Sequence, residues 1–144
     1  MSVRPEEAEI RKSLDALVQA IRSKDIDALM QHYAPEVIVF DIRPPHRIKG
    51  VRDYQKNFEA WFASVDGPID YEVVELDIKA EAELALCHSL SHVRSKRTNG
   101  EIADYWVRVT SGLRKSGGRW IIAHEHVSMP INLQTMTAHA NFSA

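Results

Sequence analysis

The chain has 144 residues, 44% of them hydrophobic and 26% charged, enough for one domain with a sizeable core and too few for two. Its 18 Lys and Arg against 20 Asp and Glu leave a formal net charge of −2, which provides no general field for drawing in nucleic acid. No apolar run approaches the roughly 20 residues of a membrane span, no stretch has the basic-then-apolar layout of a leader, and Cys87 has no second cysteine for a disulfide, a thiolate metal site or a dithiol motif. A soluble, cytoplasmic protein with no nucleic-acid or membrane partner is expected.

From Pro5 to about Ser23 the apolar residues Ile10, Leu14, Leu17, Val18 and Ile21 recur at steps of three and four. With Pro5 and two glutamates suited to a first turn, this spacing predicts an amphipathic helix. Asp25 caps a shorter helix whose stripe is Ile26, Leu29, Met30 and Tyr33, and Pro35 ends it by disfavouring helix at the residue before it. The β-branched run from Val37 to Ile42 reads as a strand that Arg-Pro-Pro-His breaks. After Gly50 a third helical stripe, Val51, Tyr54, Phe58, Trp61, Phe62 and Val65, runs to a stop at Asp66-Gly67-Pro68. Four alternating segments follow, over 70–79, 84–94, 102–115 and 119–129, with Asn99-Gly100 and Gly117-Gly118 as hairpin signals. Three helices before an antiparallel meander predict an α+β class, with the helices on one face of a curved sheet. Residues 131–144 lack periodicity and are expected to form a loose tail or an arm on a partner subunit.

In the last two segments neither face reads as solvent. Asp104, Trp106, Arg108 and Thr110 share one parity, and Tyr105, Val107 and Val109 the other. On the next strand Trp120, Ile122, His124, His126 and Ser128 oppose Ile121, Ala123 and Val127, whose apolar series only Glu125 breaks. A strand with one wet face alternates cleanly instead. In one arrangement the odd face is core and the even face meets water, which leaves Trp106 and Trp120 exposed. In the other both faces are covered: the even face lines a polar-lipped pocket, and the odd face packs on another sheet. The second is preferred, because tryptophans, histidines, an arginine and an aspartate on one surface combine the apolar wall and few polar groups of ligand pockets.

The pattern DIDALMQHYAPEVIVFD from Asp25 to Asp41, the glycine before the third helix, and the ending RVTSGLRKSGGRWIIAHEHVSMP from Arg108 to Pro130 resemble the nuclear-transport-factor-two-like superfamily. Within it, they resemble the SnoaL-like, ketosteroid-isomerase-related bacterial members, over Glu6 to about Pro130. This resemblance implies a cystatin-like, cone-shaped α+β barrel: three N-terminal helices packed on a curved antiparallel sheet that encloses a cavity. It implies one SnoaL-like domain over residues 1–144, with a core of about 6–130 and a tail of 131–144, and a homodimer through the outer sheet face. In ketosteroid isomerases the general-base aspartate lies eight residues after the tyrosine of a Tyr-Ala pair, and Asp41 has that spacing from Tyr33. The tyrosine those enzymes carry on the first helix falls near Leu17 here, which argues against steroid isomerisation itself.

The expected catalytic residues are therefore Asp41, His126 and Arg108. The expected ligand-binding residues are Trp106, Asp104, His124, Ser128, Trp120, Thr110, His88, Tyr54, Trp61 and Phe58. In an apolar cavity desolvation raises the basicity of Asp41; its alternative role is to cap the Pro-Pro turn. Arg108 pairs either with a ligand anion or with Asp104, and the tryptophans are either cavity wall or plain core. His124 and His126, with His88 and His92 on a neighbouring segment, are metal ligands in one reading and pocket hydrogen-bonders in the other; no metal and no cofactor are expected. The expected function is cofactor-free proton transfer, isomerase- or cyclase-like, on a small hydrophobic or carbonyl-containing ligand. A non-catalytic ligand-binding or oligomerisation module and a metal-dependent enzyme using the histidines are the alternatives.

Overall fold

In a computed structural model, which describes residues 4–143, the first apolar stripe is helix α1 (Pro5–Ser23). Pro5 and the carboxylates of Glu6 and Glu7 occupy its first turn, and Lys24 ends it in the left-handed region at φ 56°. The Lys24 ammonium then reaches the Val65 carbonyl at 2.8 Å, which ties this helix end to the sheet. In α2 (Ile26–Met30) the Asp25 carboxylate caps the Ala28 amide. This helix is shorter than its stripe predicts: Tyr33 already belongs to strand β1 (Tyr33–Phe40), where pairing to a neighbouring strand replaces a last helical turn. Pro35 lies inside β1, in the irregular stretch between the Tyr33 and Ile38 pairings, where its missing N–H leaves no ladder bond unmade.

A short edge strand β2 (Ile48–Lys49) leads into α3 (Val51–Ala63). The Asp66-Gly67-Pro68 run, expected to stop the helix, instead lies within the long strand β3 (Val65–Ala80). Four residues of β3 there span what two span on β4 (Leu84–Arg97), with Gly67 at φ 82° absorbing the distortion. β5 (Ile102–Ser116) and β6 (Arg119–Ser128) complete the meander. The sheet order is β2-β1-β6-β5-β4-β3, and β1 runs parallel to β6, an addition to the antiparallel sheet expected.

Two single-residue bulges shape this sheet. On β3 the pairing steps from Val74↔Leu90 to Asp77↔His88, with Glu75 at φ 54°; on β5/β6 it steps from Gly112↔His124 to Leu113↔Ile122, leaving Ala123 without a partner. Each extra residue bends its strand and exchanges the two faces beyond it. Trp120 and Ile122 thus point toward the helices before the bulge, and Glu125 and Val127 do so after it. The core lies between this curved inner face and the helices, with Ile10, Leu17, Ile21, Tyr54, Phe58, Val93 and Ile122 all buried.

Within the segment expected to be a tail, residues 131–140 pair with one another and with β5. Strands β7 (Ile131–Asn132) and β8 (Thr137–Ala138) form a small hairpin, and the Trp106 amide donates to the Ala140 carbonyl at 2.9 Å. Pairing of β6 with β5 ends at Arg108↔Ser128, so the tail supplies a partner for the edge of β5 beyond that point.

Gly50 precedes α3 at φ 86°, ψ 152°, and its amide donates to the Val37 carbonyl at 2.8 Å, fastening α3 to β1. An added Cβ finds only ordinary contact with Pro35 O at 3.6 Å, so the backbone conformation sets the cost of a side chain. Gly50→Ala is expected to destabilise the protein by roughly 1–3 kcal/mol in urea unfolding, the range for a non-glycine residue forced into such a conformation.

Candidate functional site

The inner face of the sheet and the apolar sides of α1 and α3 enclose a cavity of about 840 Å³. Helix α1 contributes Leu14, Leu17, Val18 and Ile21, and α3 contributes Tyr54, Asn57, Phe58 and Trp61 at helical spacing. The sheet contributes Val107, Val109 and Val127 together with the small hydroxyls of Ser89, Ser91, Ser95 and Ser111. Ser91 Oγ is buried and has no hydrogen-bond partner among the described residues.

Glu125 is the buried acidic residue of this wall, only 7% exposed. The Tyr54 hydroxyl donates to Glu125 Oε1 at 2.6 Å, Tyr33 reaches the same oxygen at 3.5 Å, and Ser111 Oγ donates to Oε2 at 3.4 Å. The rings of Tyr33 and Tyr54 meet edge to face at 4.9 Å, holding both hydroxyls against the carboxyl group. Burial pushes the pKa of Glu125 up to about 7, helped by the charge of Asp41 and resisted by the bonds from Tyr54, Ser111 and Tyr33. Burial, reinforced by Glu125, holds both Tyr33 and Tyr54 well above the ordinary phenol value, so they remain donors.

Asp41 follows the end of β1 and lines the same cavity. Its Oδ1 accepts from the Ile42 amide at 2.8 Å and its Oδ2 from Asn57 Nδ2 at 2.9 Å. Asn57 therefore fixes the aim of the carboxylate from α3, while Arg43 lies at 3.5 Å from the other end of the Asn57 amide. Two carboxyl groups thus share one cavity in different settings: Glu125 deep and enclosed by hydroxyls, Asp41 half-buried and held by amides.

Of the residues expected at the site, Asp41, Tyr54, Phe58, Trp61 and Asp104 line the cavity. Asp104 sits at its rim, bonded to His92 Nε2 at 2.6 Å and 3.8 Å from Arg94 Nε. Trp120 is buried against α1, its Nε1 donating to Glu9 at 2.9 Å, and is core rather than cavity wall. The expectation that the even face lines the pocket is reversed. His126, Arg108, Trp106, Thr110, His124, Ser128 and His88 occupy the opposite face of the sheet, because the apolar odd residues of β5 form the cavity wall and the Ala123 bulge turns the later part of β6 over. On that outer face His88, Thr110 and His126 stand in one row, Trp106 stacks on His92 at 4.6 Å, and Arg108 donates to Ser128 at 3.1 Å. His124 bonds the Ile38 carbonyl through Nδ1, and His88 Nε2 lies 3.3 Å from Asp77. Among the described residues no three His, Cys, Asp or Glu side chains converge to hold a metal ion.

Sequence reasoning did not select Glu125, Tyr33, Ser111 or Asn57 for the site. The signal for Glu125 was present as the one charged residue in the odd apolar series of β6. The signal for Asn57 was its place on the same helical face as Tyr54, Phe58 and Trp61.

Comparison with known proteins agrees with this architecture. A nuclear-transport-factor-2-like protein of unknown function from Pseudomonas putida is 31% identical, with 96% of each chain covered and a TM-score of 0.86. A ketosteroid isomerase-like protein from Erwinia carotovora atroseptica is 22% identical over 88% of this chain and 97% of its own, at a TM-score of 0.75. A candidate scytalone dehydratase from Novosphingobium aromaticivorans, 13% identical over 88% of this chain and 85% of its own, superposes at 0.79; at such identities the likeness is one of fold. None of the curated proteins matches this chain. The family model for the SnoaL-like domain matches residues 10–132, which span α1 to β7, and the chain belongs to that family.

Proposed function

We propose that the cavity binds a hydrophobic carbonyl compound and that the protein moves a proton on it without a cofactor. Asp41 accepts the proton from the carbon next to the carbonyl, and Glu125, in its protonated form and backed by Tyr54, stabilises the negative charge that develops on oxygen. The observation that carries this reading is the pairing of two carboxyl groups whose surroundings differ. An apolar enclosure that keeps one carboxyl neutral near pH 7 lets it donate a hydrogen bond, while a second carboxylate beside it serves as base. The roles first given to His126 and Arg108 thereby pass to Glu125 and Tyr54. A cytoplasmic setting belongs to the same reading.

Hydrogen–deuterium exchange of hydrophobic ketones such as indanone and tetralone, followed by NMR in deuterated buffer, tests it. The native protein should accelerate exchange at the carbon next to the carbonyl. Asp41→Asn should lower that rate by about 10²–10⁴-fold, the range for loss of a positioned base, and Glu125→Ala by about 10²–10³-fold, the range for loss of an oxyanion donor. Ketones that bind with no acceleration would make the cavity a carrier site instead.

The raised pKa of Glu125 also fixes a sign for stability. In the folded state the group holds its proton up to about pH 7, whereas unfolded it releases it near 4.5. Its stabilising effect is fully present below 4.5 and is lost as pH rises through about 7, by something on the order of 3 kcal/mol. His32, held below its ordinary value by burial and by Arg119, slopes the other way, so the informative quantity is the difference between native protein and Glu125→Gln. That difference is expected to favour the variant increasingly as pH rises across this window in urea titrations.

We further propose a homodimer through the outer sheet face, where Phe40, Leu84 and Leu86 are exposed beside the open backbone of Gly112. Sedimentation at micromolar concentration should return a dimer, and Leu86→Lys should shift it to monomer.

A further inference from the structure

The cavity mouth carries two arginines that meet no carboxylate. Arg43, two residues after Asp41, and Arg97, at the end of β4, both line the cavity. Neither lies within 4 Å of an Asp or Glu oxygen among the described residues; the same holds for Arg22, Arg47, Arg52, Arg108 and Arg119, but none of those five lines the cavity. Among the described residues the side-chain bond of Arg43 is the long contact to Asn57 at 3.5 Å. Arg97 ends β4 and Tyr105 lies near the start of β5, six residues from the Ser111 that meets Glu125, so both stand at the end of the cavity remote from Glu125. Burial raises the Tyr105 phenol, and the charges of Arg43 and Arg97 both act against that shift.

The charges at this end can be counted. Asp104 is paired with Arg94, which leaves Arg43 and Arg97 against Asp41. The mouth therefore has room for one negative charge, and guanidinium forks with a phenol hydroxyl present the planar donors a carboxylate accepts. Behind them the walls are apolar, from Leu14 and Leu17 on one side to Val107 and Val109 on the other. Asp41 follows Phe40, which pairs with His126 and through it faces Thr110, so along β5 it lies between the Ser111 beside Glu125 and Tyr105 at the mouth.

We infer that the natural ligand is a hydrophobic monocarboxylate, held by Arg43, Arg97 and Tyr105 with its carboxylate at the mouth and its body in the cavity. This rests on the proposed proton-transfer reading for one point only, that the same molecule carries a carbonyl farther along its chain, within reach of Asp41 and Glu125. The substrate class is then a hydrophobic oxo-acid. A single anionic anchor makes binding directional, and the reacting carbon is placed by its distance from the carboxylate.

Calorimetric titration of the full chain at neutral pH with decanoate, decanol, decylamine and decyl phosphate tests the inference. Decanoate should bind at least about ten-fold more tightly than decanol, with decylamine weakest, as charge-assisted pairing to two arginines requires. The double variant Arg43→Gln, Arg97→Gln should lose about that ten-fold for decanoate while changing decanol by no more than about two-fold. Both side chains are exposed, so melting temperature should be unchanged; if the double variant does not fold, Arg97→Gln alone carries the same expectation in part. Equal affinities for decanoate and decanol, or equal losses for both, would overturn the inference, and tighter binding of decyl phosphate would overturn the assignment of a monocarboxylate. Asp41→Asn separates the two proposals: it lowers ketone exchange by about 10²–10⁴-fold in the catalytic reading but should tighten decanoate by removing a like charge. Decanoate selectivity without exchange thus counts against catalysis alone, and exchange without selectivity counts against the anionic anchor alone.

Discussion

One unpaired residue, Ala123, determines which side chains of β6 can meet inside the barrel. The strand has to place Trp120 and Ile122 against the helices near its start and Glu125 and Val127 in the cavity farther on, and residues of opposite parity cannot share a face of a regular strand. The bulge resolves this by inserting one residue opposite the Gly112 to Leu113 step. A matching bulge at Glu75 on β3 turns that strand in the same manner, with Tyr71 and Val73 facing inward before it and Leu76 after it. The bends curve the sheet around α1 and α3, and the space left between them is the cavity.

Within that space the energetics centre on a carboxyl group that would be costly to bury charged. Desolvation alone favours its neutral form, and three hydroxyls at 2.6, 3.4 and 3.5 Å from its oxygens offset part of this. The balance still leaves the pKa of Glu125 raised to about 7, so a protonated form that can donate is available near neutral pH. Tyr33 and Tyr54 contribute differently. Their rings pack in the buried cluster with Phe58 while their hydroxyls turn to Glu125, so the residues that exclude water from the carboxyl group also hydrogen-bond it.

The fold was largely legible because its signals are periodic. The α1 stripe, the Asp25 cap, the α3 stripe and the two glycine turns all predict elements that the structure contains at nearly the same bounds. Less legible were local competitions: α2 yields its last turn to β1, and Asp66-Gly67-Pro68 bends a strand where it was expected to stop a helix. The site was legible only in part for a related reason. Asp41, Tyr54, Phe58 and Trp61 come from positions where strand end or helix spacing alone fixes the inward face. His124, His126 and Arg108 were assigned by carrying parity straight along β5 and β6, and no sequence pattern marks a bulge at Ala123. Glu125 was the remaining clue: a carboxylate in an apolar series requires a compensating partner, and on an inward face that partner is a buried hydroxyl.

The cavity is also graded in charge along its length. Its closed end holds a carboxyl group near neutrality, its middle a carboxylate held by the Asn57 and Ile42 amides, and its mouth two cationic forks. A neutral ligand would have no reason to enter one way round, because apolar walls attract without direction. A cationic ligand would be repelled at the mouth before reaching Asp41. An anionic group, by contrast, is retained at the mouth and repelled by Asp41 from travelling deeper, so it stops where the arginines are. On the proposed oxo-acid reading this gradient orients the ligand and leaves the apolar walls to set how far its body extends toward Glu125. In this arrangement Asp41 helps bar the anchor from the interior and faces the middle of the bound chain, which is where a base must lie to act on a carbon between the two ends.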